Sequence, residues 1–212
     1  MKKINFKNLK GHFKTICTHK KWVFHYCHIA GIPVQGVLHD LSKFHPVEFF
    51  EGVKYYDGSR SPVDVCKELY GYSKAWQHHR GRNKHHYEMW VEYYDHGGRG
   101  IVMPYKYIVE MVCDFLAAGK AYMKDNFSYE AEWQWWVKKK SNNILMHPAT
   151  IIFVDTILAQ LVQTGSAQAV LAPTNTLFVY KYSIKQAKLR EGENKWPEKK
   201  NYYVPHLIIY GM

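Results

Sequence analysis

The sequence predicts an all-α fold, and three observations carry that expectation. Apolar residues recur at three- and four-residue spacing over most of the first 163 positions, prolines stand where helices would begin, and glycines stand where they would end. Only after Thr164 does the pattern change, to a small C-terminal appendage whose apolar runs read as a β-hairpin. The chain therefore divides into a helical domain over residues 1–163 and an appendage over 164–212.

Each element has a local reason. Residues 2–21 hold seven lysines and no acid, with Ile4, Leu9, Phe13 and Ile16 along one side, which is an amphipathic helix with a basic outer face. It runs on to Ala30 and stops at Gly31-Ile32-Pro33. A second helix is expected over 34–44, and a third opens at Pro46, where a missing N–H costs nothing. Ser61-Pro62-Val63-Asp64 is a capped start, followed by helix over 62–70 and again over 73–94. Gly97-Gly98-Arg99-Gly100 reads as a loop, and Pro104 opens a long helix to Met123. Ser128 caps another, and His147-Pro148 opens the last. In the appendage, Leu177–Ser183 and Tyr202–Tyr210 are the expected strands, separated by a charged stretch.

Composition narrows the function. At 212 residues with 47% hydrophobic content the chain can bury a core, so disorder is excluded. No window is apolar and long enough for a membrane span; the nearest, 144–162, is broken by His147, Pro148, Asp155 and Gln160. The basic N-terminus lacks the apolar core of a secretory signal, and four cysteines without a C-x-x-C pair read as reduced thiols, so a cytoplasmic protein is expected. Lys and Arg exceed Asp and Glu by 29 to 18, which suits an anionic partner. The histidines are more telling, because 10 of the 13 lie between His12 and His86. That concentration suggests a metal.

The constellation starts at His39-Asp40, where an imidazole and a carboxylate stand side by side. Neighbours on a helix diverge by about 100°, so both could grip a metal only at the helix flank. His19 lies across the Gly31-Ile32-Pro33 turn and would be folded back toward His39, with His25 and His28 competing for the same role. Lys43 follows Asp40 by three residues and is placed to hold a phosphate oxygen. The second cluster is His78-His79-Arg80-Gly81-Arg82-Asn83-Lys84-His85-His86. His79, Asn83 and His86 would share one face of a continuous helix, although Gly81 could interrupt it and exchange His85 with His86. Four histidines in nine residues exceed what phosphate contact alone requires. Asp114, on an otherwise apolar helix, needs a partner, and Glu110 one turn earlier could orient a ligand.

In this order, His19, His39-Asp40, His79, His85-His86 and Asp114 resemble the HD superfamily of metal-dependent phosphohydrolases, in its two-metal form. The stretches His39–Phe44, Asn83–His86 and Met103-Pro104 through Glu110-Met111 to Asp114 closely resemble an uncharacterised family of bacterial and phage proteins within it, over about residues 15–160. The resemblance implies an HD-domain-like helical bundle with ligands projecting inward. It implies that His19, His39, Asp40 and Asp114 hold one metal, with Asp40 bridging to a second held by His79 and one or both of His85 and His86. The ions would be divalent, with Fe, Mn, Co, Zn and Mg not distinguished.

The expected reaction is hydrolysis of a nucleotide or other phosphate ester or anhydride by a hydroxide that two metals activate. Asp40, Lys43 and Glu48 are the expected catalytic residues, with Glu48 as proton donor to the leaving group. Lys43, Arg80, Arg82 and Asn83 are the expected substrate contacts. Two other readings compete: a di-iron oxygenase on the same scaffold, and a non-enzymatic module that binds nucleic acid around structural metal. The expected partner is an anionic phosphate compound, with no membrane partner, and the appendage could join two copies of the chain.

Overall fold

The computed structural model describes residues 5–192 except 96 and 143. Helix α1 spans Phe6–Ile29, and its N-terminus is capped by the Asn5 side chain, which accepts from the Asn8 N–H at 2.7 Å. Its buried residues, Ile16, His19, Val23, Tyr26 and Cys27, follow helical spacing, so one face packs inward. Gly31 then turns the chain at φ 72°, a conformation glycine adopts without a Cβ penalty, and its Cα faces the Pro173 ring.

The expected helix over 34–44 is not formed whole. Helix α2 covers only Pro33–Leu38; His39 leaves it with φ −51° and ψ 127°, and Asp40 takes a left-handed conformation at φ 51°. A single 3-10 turn, Leu41–Phe44, follows. Short polar side chains tolerate that backbone region, and strain of this kind gathers at functional sites. The break lets His39 and Asp40 point to one place, which a helix would have denied them.

Helices α3 (Pro46–Tyr55) and α4 (Pro62–Tyr70) begin at the expected prolines, and α4 ends at Gly71 with φ 78°. The expected helix over 73–94 is also cut short. Helix α5 is Lys74–Arg80, capped by Ser73, and it ends at Gly81. The chain continues through an irregular segment and a 3-10 turn at Tyr87–Trp90. Strands β1 (Val91–Tyr94) and β2 (Gly97–Gly100) then pair antiparallel, so the expected Gly-rich loop is half of a hairpin.

Helix α6 (Tyr105–Met123) is the central one, with Ile108, Val112, Leu116 and Ala117 almost fully buried. Helix α7 (Tyr129–Lys140) packs beside it, and α8 (Pro148–Thr164) packs on α7 and shares the same core. Between them the buried Trp136 indole donates to Asp155 Oδ1 at 2.6 Å, and Lys140 Nζ reaches the same oxygen at 2.7 Å.

After the short α9 (Ala167–Val170), helix α10 spans Pro173–Gly192. Leu177–Ser183, expected as a strand, lies within it, because Val179 joins the main core and Tyr180 donates to the Met103 carbonyl at 2.9 Å. Burial decided against the β-prone composition. Val170 and Leu171 share that core too, so residues 164–192 pack on the helical domain. The second expected strand, 202–210, lies outside the described residues. Among the described residues the fold is all-α with one small hairpin, and no described helix is long and apolar enough to cross a membrane.

Candidate metal centre

Four segments bring the cluster together. α1 supplies His19, the α2 break supplies His39 and Asp40, α5 and the irregular segment after it supply His79, His85 and His86, and α6 supplies Glu110 and Asp114. His19 Nε2 is 3.0 Å from Asp114 Oδ1 and 3.9 Å from Asp40 Oδ2. His39 Nε2 is 3.1 Å from Asp40 Oδ2 and 3.4 Å from Asp114 Oδ1. On the other side of Asp40, Oδ1 lies 3.2 Å from His79 Nε2 and 3.5 Å from His85 Nε2.

These atoms form two overlapping donor sets, His19–His39–Asp40–Asp114 and Asp40–His79–His85–His86, each with its ligand atoms within 4.8 Å of one another. Asp40 belongs to both. The residues fit a metal by a second test. His19 Nε2, His39 Nε2, His85 Nε2, His86 Nε2 and both Asp40 oxygens are buried without a hydrogen bond of acceptable angle, although several lie 3–4 Å apart. Buried polar atoms are rarely left so, and a cation in each donor set would satisfy them together.

Carboxylates behind the imidazoles fix their orientation. Glu110 Oε1 lies 3.0 Å from His39 Nδ1 and 3.3 Å from His85 Nδ1, so one carboxylate accepts from both rings. Glu48 Oε2 lies 2.8 Å from His79 Nδ1, and Oε1 lies 2.5 Å from His78 Nδ1. The contacts to His39, His85 and His79 put the proton on Nδ1 and leave Nε2 turned toward Asp40. Glu110 thus does what its position one turn before Asp114 suggested. Glu48 was expected to donate a proton, yet burial, which would raise its pKa, is outweighed by the bonds from His79 and His78. It stays a carboxylate, and it orients His79.

The electrostatics follow from burial and partners. Burial would raise Asp40, but His39, His79 and Lys43 hold it well below the usual carboxylate range. Asp114 is likewise held low, despite burial, by bonds from His19 and His39. Burial and then the Lys43 charge press His19 down to about 4, so it is neutral at pH 7 and its lone pair is free to ligate. Burial against His85 and His79 keeps His86 neutral too. For His39 burial is outweighed by Asp40, Asp114 and Glu110, which raise it. Lys43 Nζ stands 2.6 Å from Asp40 Oδ2, and its charge is kept, against burial, by Asp40 and Asp114.

The cluster opens into a cavity of about 690 Å³. Lys43 lines it as expected, but Arg80 and Arg82 do not: both are exposed, and Arg82 bonds back to the His78 carbonyl at 3.2 Å. The early end of α5 sends them outward. Asn83 is also absent from the cavity wall; it donates to Ser42 Oγ at 2.9 Å and the His79 carbonyl at 2.7 Å, which pins the segment after α5. The cations on the wall are Lys43, Lys67, Lys139 and Arg60, the last paired with Glu68 at 2.6 Å. Lys67 rests over the Trp76 ring at 4.2 Å and Lys139 over Trp135 at 5.4 Å. Spacing alone could not have found them, since they lie on α4 and α7, far along the chain from the ligands. His25 and His28 are exposed on α1, which leaves the position to His19, and both His85 and His86 reach the centre.

Fold and site together define an all-α protein with a buried centre of imidazoles and carboxylates that could hold a metal ion. The chain belongs to a family of unknown function, DUF5662, whose model matches residues 8–160 and so includes every residue of that centre. No curated protein and no solved structure matches it.

Proposed function

We propose that the chain is a metal-dependent phosphohydrolase of HD type acting on a nucleotide or other phosphate ester or anhydride. The observation that carries this reading is the sharing of Asp40 between two four-residue donor sets, with Lys43 beside it at the cavity. Two divalent ions held there would supply Lewis acidity toward a phosphoryl oxygen and would acidify a water as the nucleophile.

The chain's own residues do the rest. His19, His39, Asp40 and Asp114 would hold one ion, and Asp40, His79, His85 and His86 the other. Glu110 and Glu48 keep the imidazole Nε2 atoms turned inward. Lys43 offers its ammonium to an equatorial phosphoryl oxygen, where charge grows in the transition state. Lys67 and Lys139, rather than Arg80 and Arg82, face the remainder of an anionic substrate.

The test is metal content followed by turnover. Protein purified without chelator should hold about two ions per chain, and the loaded protein should release phosphate or alcohol from a panel of nucleotides and phosphodiesters. Folded, metal-loaded protein inert on the whole panel refutes the reading. Oxygen uptake by the iron form would assign a di-iron oxygenase instead. Salt-dependent DNA or RNA binding that survives Asp40→Ala, without turnover, would assign a nucleic-acid module.

A further inference from the structure

The expected proton donor, Glu48, is committed to His78 and His79, so a leaving group would need its proton from elsewhere. Among the carboxylates on the cavity wall, Glu132 stands apart. It is 4% exposed, and among the described residues its carboxyl makes neither a hydrogen bond nor an ion pair. The residue on α7 points across to α6 at Gly119, where a Cβ would meet Glu132 Oε2 at 2.4 Å. Glycine there is what leaves room for the carboxyl. Gly119 follows Asp114 by five residues on one helix, so the carboxyl lies about 7.5 Å along α6 from the Asp114 level. Glu132 and the cluster residues Asp40, Lys43 and Asp114 line the same cavity, so a substrate held at the cluster can extend toward the carboxyl.

We propose that Glu132 is the proton donor to the leaving group, acting across the cavity from the metal centre. The inference rests on the phosphohydrolase reading and assigns a residue that reading lacked. Water supplies the oxygen that bonds phosphorus. The phosphorus–oxygen bond to the leaving group breaks with its electron pair staying on that oxygen, and the Glu132 carboxyl gives that oxygen its proton. Glu132 is left as a carboxylate, and the proton released by the attacking water restores it through solvent. A donor must hold its proton near neutral pH, and Glu132 does: burial first, and the Asp114 charge second, push it up to about 8. The titratable groups that act on it are Asp114 from α6 and Tyr26 from α1; Lys139, two turns along its own helix, lines the same cavity but rests over the Tyr87 and Trp135 rings. Lys120 of α6 is engaged with the Phe127 ring at 4.3 Å.

Glu132→Gln preserves volume and removes the acid, and it is compared with the wild type in metal-loaded protein. The probes are p-nitrophenyl phosphate, whose leaving group departs without a proton, and phenyl and methyl phosphates, whose leaving groups need one. The variant should hydrolyse the first within about threefold of wild type and lose about 100-fold on the others, together with the alkaline limb of their pH profile near 8. Infrared difference spectra should independently show a protonated carboxyl band at pH 7 that is missing from the variant. Equal losses on all three esters, or no such band in the wild type, would overturn the assignment. A wild type that binds two metals yet cleaves none of the esters, while the band is present, would fell the hydrolase reading and with it the donor role.

Discussion

At one end of the cavity Asp40, Glu48 and Asp114, with Glu110 behind the imidazoles, all face imidazoles or the Lys43 ammonium, and every one is held as a carboxylate despite burial. At the other end Glu132 packs against Gly119 with no cation or imidazole bonded to it among the described residues, and burial and then the Asp114 charge keep its proton on. Burial disfavours charge at both ends. What differs is the company: a partner within 4 Å outweighs desolvation, and its absence lets desolvation win. One cavity therefore carries fixed negative charge on one side and a neutral acid on the other, which the proposed reaction would use for a cation and a leaving group.

Asp40→Ala should do most to erase the contrast, because it removes the shared member of both donor sets. Metal content should fall toward zero and turnover by about 1,000-fold or more, read by elemental analysis and steady-state rates. Asp40→Asn separates the two roles of the residue. Asparagine tolerates the left-handed backbone at φ 51°, so it should keep the melting temperature nearer to wild type than alanine does while still weakening metal binding.

Glu110→Gln leaves the ligands in place but loosens His39 and His85 together. Metal affinity, measured by competition with a chromogenic chelator, should drop about 10- to 100-fold. A loss below threefold would show that the two rings are positioned by packing alone.

The acid end is sharpened by pH. Glu132 has its folded-state pKa raised from 4.5 to about 8, so its contribution to stability is fully present below 4.5 and is lost as pH rises to about 8. The difference in unfolding free energy between wild type and Glu132→Gln should therefore move against the wild type by roughly 1–3 kcal/mol across that window. Denaturant titrations at pH 5, 6.5 and 8 would show it, and a flat difference would place Glu132 among ordinary exposed glutamates. The smallest effect is expected at Arg80→Ala and Arg82→Ala. Both are exposed and away from the cavity wall, so Michaelis constants should change less than about twofold.

The ligands were legible because their chemistry is carried by residue type. The histidine concentration pointed to a metal, the resemblance to a metal-binding superfamily supplied the set, and His19, His39, Asp40, His79, His85, His86 and Asp114 all meet. The route by which they meet was hidden. Residues 34–44 have ordinary helix-forming character, and nothing local announces that Asp40 turns left-handed; only the convergence of four segments makes that turn worthwhile. The same applies to Arg80 and Arg82, whose direction depends on α5 ending at Gly81. Glu132 reads locally as a first-turn glutamate that favours the helix dipole, and its burial against Gly119 is a long-range fact.

By itself, the sequence determined the helical class, most helix starts and the set of groups that could hold a metal, because caps, prolines and ligand chemistry act over a few residues. Tertiary packing decided three things: where the helices break, which basic residues reach the cavity, and which carboxylate keeps its proton. Leu177–Ser183 shows the same division, a β-prone run that became helix because α10 buries Val179 in the core. Direction and desolvation are set by neighbours distant in sequence, and those exist only once the chain has folded.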